Sequence, residues 1–299
     1  MEGHLRLSGS QFGARQAQGQ WAEGVVRAAI NSQPEFTCVS YGISSTAPSD
    51  KAARRSYYKR VEASKTKGQK RPDLAVFRRQ DEDFVQSILS EYSANSLAEL
   101  TEAEILDSAI LSRCALAIEV KSSRWDAKKM DGHKRRLTPQ ERFGGKLGLP
   151  ASVKVAHAEI KRQEYFELRA WARANGGIPI LICNVFMDVV YGISLTYARS
   201  LIRRKLIDYR TQDYERDSKK MLLVPAYRLF TLGDLKTDDT SEKTVSPTGR
   251  HDSRLLFASE PLRWNRKAIT RIQCLARRQL QSLEATSLPP EANHEMMAA

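Results

Sequence analysis

With 299 residues the chain is long enough for one large domain or two modest ones, and its 41% hydrophobic and 28% charged residues are those of an ordinary soluble globular protein. No run approaches the roughly 18 apolar residues of a membrane span, residues 1–20 lack the apolar segment of a secretory signal, and the scattered Cys38, Cys114, Cys183 and Cys274 form neither a zinc ribbon nor a disulfide framework. The 48 Lys and Arg exceed the 35 Asp and Glu by a net charge of +13, which favours a polyanionic partner, nucleic acid being the commonest.

In chain order, residues 1–10 read as a loose tail. Residues 12–31 read as a helix with an apolar face of Trp21, Val25, Val26, Ala29 and Ile30, and with Pro34 beyond its end. Strands are expected over 36–43 and 72–78, then two helices within 83–111, where Ser96 and Thr101 are candidate caps for the second. Residues 114–121 (CALAIEVK) are the clearest strand, and Ala151–Val155 is a further candidate. Residues 157–174 read as a helix stopped by Asn175-Gly176-Gly177. Strands follow over 178–187, 189–195 and 221–230, with an exposed loop over 236–253, a basic helix over about 264–285 and a polar tail over 287–299. This alternation predicts an α/β protein with a central mixed β-sheet flanked by helices, folded as a single domain over 11–286.

The positive charge is clustered. Nine Lys or Arg and one acid, Glu62, lie between Lys51 and Arg71, with Tyr57 and Tyr58 among them. A second group follows the clearest strand and a third lies on the last helix. Such runs are commonly solvated faces, but three in one chain strengthen the case for phosphate contacts. No histidine pair has metal-ligand spacing.

Two polar outliers in apolar strands carry the chemistry. Strand alternation puts Ile118 and Val120 on one face and Glu119 and Lys121 on the other. Charges so placed are costly unless paired or bound to a metal. Pro72 favours the start or edge of a strand, so Asp73 opens an apolar run. If the two strands are neighbours, Asp73 and Glu119 converge into a site suited to a hard divalent cation such as Mg²⁺. A metal there would lower the pKa of an attacking water and stabilise phosphate charge, and a nearby lysine would orient that water.

Pro72-Asp73 followed by Glu119-Val120-Lys121 resembles the PD-(D/E)XK nuclease signature found in many type II restriction endonucleases. The stretch from Ser152-Val153 through Ile178-Pro179-Ile180, Asn184-Val185-Phe186-Met187-Asp188 and Tyr191-Gly192-Ile193-Ser194 resembles the segment after the active site in such enzymes, AccI-like ones being the nearest. The likeness spans about residues 70–195. It implies a restriction-endonuclease-like core, Asp73 and Glu119 as metal ligands with the Val120 carbonyl as a further one, and Lys121 assisting the nucleophile. It also implies Mg²⁺ as cofactor, with Mn²⁺ as a substitute, and a homodimer cutting both strands of double-stranded DNA at a short site.

Several positions keep two readings. Asp107 competes with Asp73 as first acid, though it falls on an expected helix. Glu23 is either an extra carboxylate reaching the metal from the first helix or a solvent-facing glutamate. Trp21, Trp171 and Phe186 read as core. DNA contacts are expected from Ser122, Ser123, Arg124, Lys128, Lys129, Lys134, Arg135 and Arg136 directly after the active strand. A second set is Lys51, Arg54, Arg55, Lys59, Arg60, Lys70 and Arg71. The expected activity is that of a cytoplasmic type II site-specific deoxyribonuclease of a restriction-modification system. The alternatives are a repair or structure-specific nuclease with the same site and, less favoured, a non-catalytic DNA-binding protein.

Overall fold

A computed structural model describes residues 9–43, 55, 58, 62, 70–138, 155–207, 209–214, 217–245 and 251–287. The chain begins with α1 (Gly9–Asn31) and β1 (Phe36–Ser40), then β2 (Leu74–Arg78), α2 (Glu82–Glu91) and the short α3 (Glu102–Asp107). Thr101 caps α3 in a full capping box: its hydroxyl accepts from Glu104 N, and the Glu104 carboxylate accepts from Thr101 N. Next come β3 (Leu116–Ser122), β4 (His157–Lys161), α4 (Arg162–Ala174), β5 (Ile180–Val185), β6 (Val189–Ser194) and α5 (Leu195–Arg203). The remainder is β7 (Tyr209–Tyr214), β8 (Asp217–Pro225), β9 (Phe230–Asp234), β10 (Thr237–Val245), β11 (His251–Ser259), β12 (Arg263–Trp264) and α6 (Arg266–Ser287).

The fold is α/β, as the alternation predicts. Among the described residues, seven strands form the central sheet in the order β1-β2-β3-β5-β6-β9-β12. The sheet is mixed: β3 and β5 run parallel, while each other neighbouring pair is antiparallel. The parallel pair requires a crossover, and the segment between them contains β4 and α4. A second sheet, β4-β8-β7, and the β10–β11 hairpin stand beside it.

Strand alternation divides the core in two. Leu74, Val76, Leu116, Ile118, Val120, Leu181 and Cys183 face Ala22, Val26 and Ile30 of α1 and Ala268, Ile272 and Ala276 of α6. Ala75, Phe77, Ala117, Ile180, Ile182 and Ile193 face the other way, toward α2, α4, α5 and the β4–β8 pair. Glu119 and Lys121 have the parity of Ala117 and so lie on this second side, below α4. Trp171 is buried and donates to Tyr41 Oη at 3.1 Å, Phe186 is buried edge-to-face on Tyr191, and the half-buried Trp21 stacks on Phe257. Cys38, Cys114 and Cys183 are buried free thiols. Among the described residues no helix is long and apolar enough to cross a membrane.

The structure corrects three expected elements. Residues 157–161 are a strand, because Ala158 and Ile160 alternate with exposed neighbours, and the helix starts only at Arg162 after an extended Lys161. Residues 221–230 are two strands in different sheets, divided after Pro225 by a single 3-10 turn. Residues 236–253, read as an exposed loop, instead contribute β10 and the start of β11, paired from Thr237↔Ser259 to Val245↔His251. Its polar composition hid this hairpin, which is paired through backbone groups. The expected strand at Ala151–Val155 lies outside the described residues apart from Val155, which makes an isolated bridge to Asp131. The predicted stop after α4 is present: Gly176 and Gly177 take φ of 69° and 78°, and Gly177 N donates to Ala172 O at 2.8 Å.

Candidate active site

The first acid is placed by backbone alone. β2 pairs antiparallel with β3, Leu74 opposite Ile118, so Asp73 lies one step beyond the ladder beside Glu119. The Asp73 carbonyl accepts from both Tyr41 N, at 2.9 Å, and Gly42 N, at 3.0 Å. Gly42 is required here, since a Cβ would stand 2.8 Å from Asp73 Cα and 2.9 Å from the Pro72 carbonyl oxygen. The side chain is fixed as well: Val120 N donates to Asp73 Oδ2 at 2.7 Å. Asp107, the rival acid, ends α3.

Glu119 is fully buried, with its carboxylate directed into a knot of charges. Lys121 Nζ donates to Glu119 Oε1 at 2.6 Å and to Glu164 Oε1 at 2.7 Å. Lys70 Nζ bridges the same two oxygens from the other side. Burial, then the Asp73 carboxylate, push Glu119 up to about 7 against the pull of the two ammoniums. Glu164 meets the opposite balance: burial opposes its charge, but Lys121 and Lys70 outweigh burial and hold it down at about 2. Burial raises Asp73 and, together with Glu119, raises Glu23 on α1. Both lysines are raised because their carboxylate partners outweigh desolvation, so both stay charged.

Two buried carboxylate oxygens, Glu119 Oε2 and Glu164 Oε2, accept no hydrogen bond. Such atoms are rare in a folded interior and mark a missing partner. With Asp73 they offer hard anionic oxygens without nitrogen or sulfur, the donor set that suits Mg²⁺. Among the described residues no three His, Cys, Asp or Glu side chains gather around one point as they stand; the ammoniums of Lys70 and Lys121 lie between the carboxylates instead. The donor chemistry therefore fits a divalent cation, whose arrival would require Lys70 to move.

The site opens into a cleft of about 610 Å³ bounded by Lys121–Trp125, β4, Glu164 and Asn184–Phe186. The loop after β3 is pinned to it: Asp188 accepts from Ala127 N at 2.8 Å and Lys128 N at 2.9 Å. From α1, the buried Gln18 turns its carbonyl oxygen to Ser123 N, at 3.3 Å, and Arg124 N, at 3.2 Å.

Of the residues expected to meet DNA, Ser122, Arg124, Lys128, Lys129, Lys134, Arg135 and Arg136 are exposed and Ser123 is half-buried beside the cleft. Lys128 pairs with Asp234 at 2.8 Å and Lys129 with Asp126 at 2.5 Å. Arg55 is exposed, whereas Lys51, Arg54, Lys59 and Arg60 lie outside the described residues. Two members of the expected set belong elsewhere. Arg71 is 6% exposed and turned inward. Its guanidinium pairs with Glu102 at 2.5 Å, donates to the Leu97 and Leu100 carbonyls and lies over the Tyr41 ring, so its Nε and Nη1 donors are committed inside the protein. Lys70 sits within the carboxylate knot. Glu164, absent from the expected site, had a signal: it lies on the buried stripe of α4 with Leu168 and Trp171, where an acid is out of place.

Residues 6–140 match the family model of the AccI restriction endonuclease. This AccI-like segment runs from α1 past β3 and includes Asp73, Glu119 and Lys121, but it spans somewhat under half of the chain and stops before the stretch around 152–195 where likeness was also expected. No curated protein and no solved structure matches the chain.

Proposed function

We propose that this chain, AccI-like over residues 6–140, is a type II restriction endonuclease that hydrolyses double-stranded DNA at a short specific site with Mg²⁺. The observation that carries the reading is the juxtaposition of the buried Glu119 with the half-buried Asp73 and Lys121 at the end of β2 and β3, inside the AccI-like segment and beside a cleft rimmed by basic residues.

Asp73 and Glu119 would hold the metal, with the Val120 carbonyl as a further ligand, and Glu164 and Glu23 stand near Glu119. When bound, the cation acidifies an attacking water and neutralises charge on the phosphate. The side chains do the rest. Lys121 holds the water in line and stabilises negative charge as the P–O bond breaks. Asp73 is kept in place by Val120 N and by the two amides on its own carbonyl. Lys70, released from Glu119 and Glu164, supplies a second ammonium for the phosphate. The basic loop 124–136 neutralises the neighbouring backbone. Reading a palindromic site calls for a two-fold assembly, so the active form is a homodimer, which sedimentation on duplex DNA measures.

The test of this function is the cleavage pattern. Unmethylated phage DNA incubated with the protein and Mg²⁺ should give discrete, reproducible fragments, and none in EDTA. A metal-dependent smear, or cutting only at ends and junctions, would instead mark a repair-type nuclease. DNA bound but left intact with every divalent metal would contradict catalysis altogether.

A further inference from the structure

Among the described residues, Asn184 is a buried polar group beside Lys121 that the mechanism above does not use. Asn184 lies on β5 opposite Lys121 in the parallel β3–β5 register, as Ile182 lies opposite Glu119. Paired residues of neighbouring strands project to the same face, so Asn184 stands beside Lys121 where the strands end and the cleft begins. It is 4% exposed, lines that cleft, and its Nδ2 has no hydrogen-bond partner. The alternating positions before it, Ile180 and Ile182, are apolar; packing alone would be served by another such residue. A buried amide donor left unpaired is costly in the free protein, which points to a partner that arrives from outside.

The neighbours define what that partner is. Lys121 is a donor only, and already serves two carboxylates, so it offers Asn184 Nδ2 no acceptor. The cleft mouth carries the cationic Arg124 and Lys161, which admit an anion. We propose that Asn184 is a substrate-positioning residue whose Nδ2 donates a hydrogen bond to a non-bridging oxygen of the phosphate lying against Lys121. This assignment rests on the proposed nuclease function and names a phosphodiester contact outside the carboxylate–lysine set. A short polar amide suits the role, because it donates without adding charge beside Lys121.

The experiment uses the full chain. The Asn184 side-chain amide resonances, identified by their loss in Asn184→Leu, are followed in ¹⁵N–¹H spectra while a duplex of random sequence in EDTA, and separately inorganic phosphate, is titrated in. In parallel, Mg²⁺-dependent cleavage of phage DNA is timed for the wild type, Asn184→Leu and Asn184→Ser. The inference predicts that the amide protons shift with duplex or with phosphate. Asn184→Leu should melt no lower than the wild type yet cut roughly 100-fold more slowly, and Asn184→Ser, which keeps a donor, should recover part of the rate. An amide that neither ligand moves overturns the inference, as does an Asn184→Leu rate within about twofold of the wild type. If the wild type cleaves nothing, the nuclease reading fails by itself, and the amide shifts still decide whether Asn184 meets a phosphate.

Discussion

Replacing Glu119 by glutamine should stabilise the metal-free protein at neutral and alkaline pH, although it removes a central residue of the site. Burial and the Asp73 carboxylate raise Glu119 from 4.5 to about 7. A carboxyl whose folded pKa lies above its unfolded one contributes fully to stability below the unfolded value, and that contribution disappears as pH rises through the folded value. The window is therefore about 4.5 to 7. At ~1.4 kcal/mol per pH unit the charged Glu119 costs ~3 kcal/mol above pH 7, relative to its neutral form. Glu119→Gln removes that cost and should raise Tm at pH 8 by several degrees, the gain shrinking toward zero near pH 4.5. Glu164 predicts the reverse. It is held at about 2 by Lys121 and Lys70, so its contribution is present above about 4.5 and disappears as pH falls through 2. Glu164→Gln should lower Tm at pH 8 by a comparable amount. Mg²⁺ should raise the wild-type Tm and leave Glu119→Gln unmoved. Differential scanning calorimetry of the metal-stripped proteins from pH 2 to 8, without and with added Mg²⁺, measures all of this. A Glu119→Gln protein that melts below the wild type at pH 8, or a difference that does not change with pH, would refute the reasoning.

Other perturbations separate architecture from DNA binding. Gly42→Ala would force a Cβ against the Asp73 backbone; it should cost ~1–3 kcal/mol of stability and reduce cleavage further than that destabilisation explains, as comparison of melting with cleavage rates will show. Arg71→Met removes the partner of Glu102 and of two carbonyls. Because Glu102 is 30% exposed and water can reach it, the cost should fall near ~3 kcal/mol rather than higher, measured by urea unfolding, with the salt dependence of DNA binding unchanged. Arg124→Ala or Arg135→Ala should leave stability within ~0.5 kcal/mol but reduce the slope of log K against log salt by about one for each DNA phosphate that is no longer neutralised, read by fluorescence anisotropy.

What could be read in the sequence follows from which signals are local. Asp73 and Glu119-Val120-Lys121 stand out because each is a charge within an apolar strand, and the β2–β3 ladder brings them together. The basic loop after β3 is likewise contiguous and surface-exposed. Lys70 and Arg71 sit in the same basic run as their surface neighbours, and nothing local shows that one enters the carboxylate knot while the other turns onto Glu102. That choice depends on acids contributed from α4 and α3, far along the chain. Glu164 and Asn184 were visible as polar outliers on an apolar helix stripe and an apolar strand, but only the parallel β3–β5 pairing and the β4–α4 crossover reveal that they border Lys121. Residues 157–161 show the limit of periodicity: five residues satisfy a helical pattern when joined to those after them, while the β4–β8 pairing makes them a strand.

The most direct test of the central claim is single-turnover cleavage of phage DNA by excess protein in Mg²⁺, comparing the wild type with Asp73→Asn and Lys121→Ala. The account predicts that each variant binds DNA within a few-fold of the wild type but cuts at least ~100-fold more slowly. Cleavage by either variant at the wild-type rate would contradict a reaction centred on Asp73, Glu119 and Lys121.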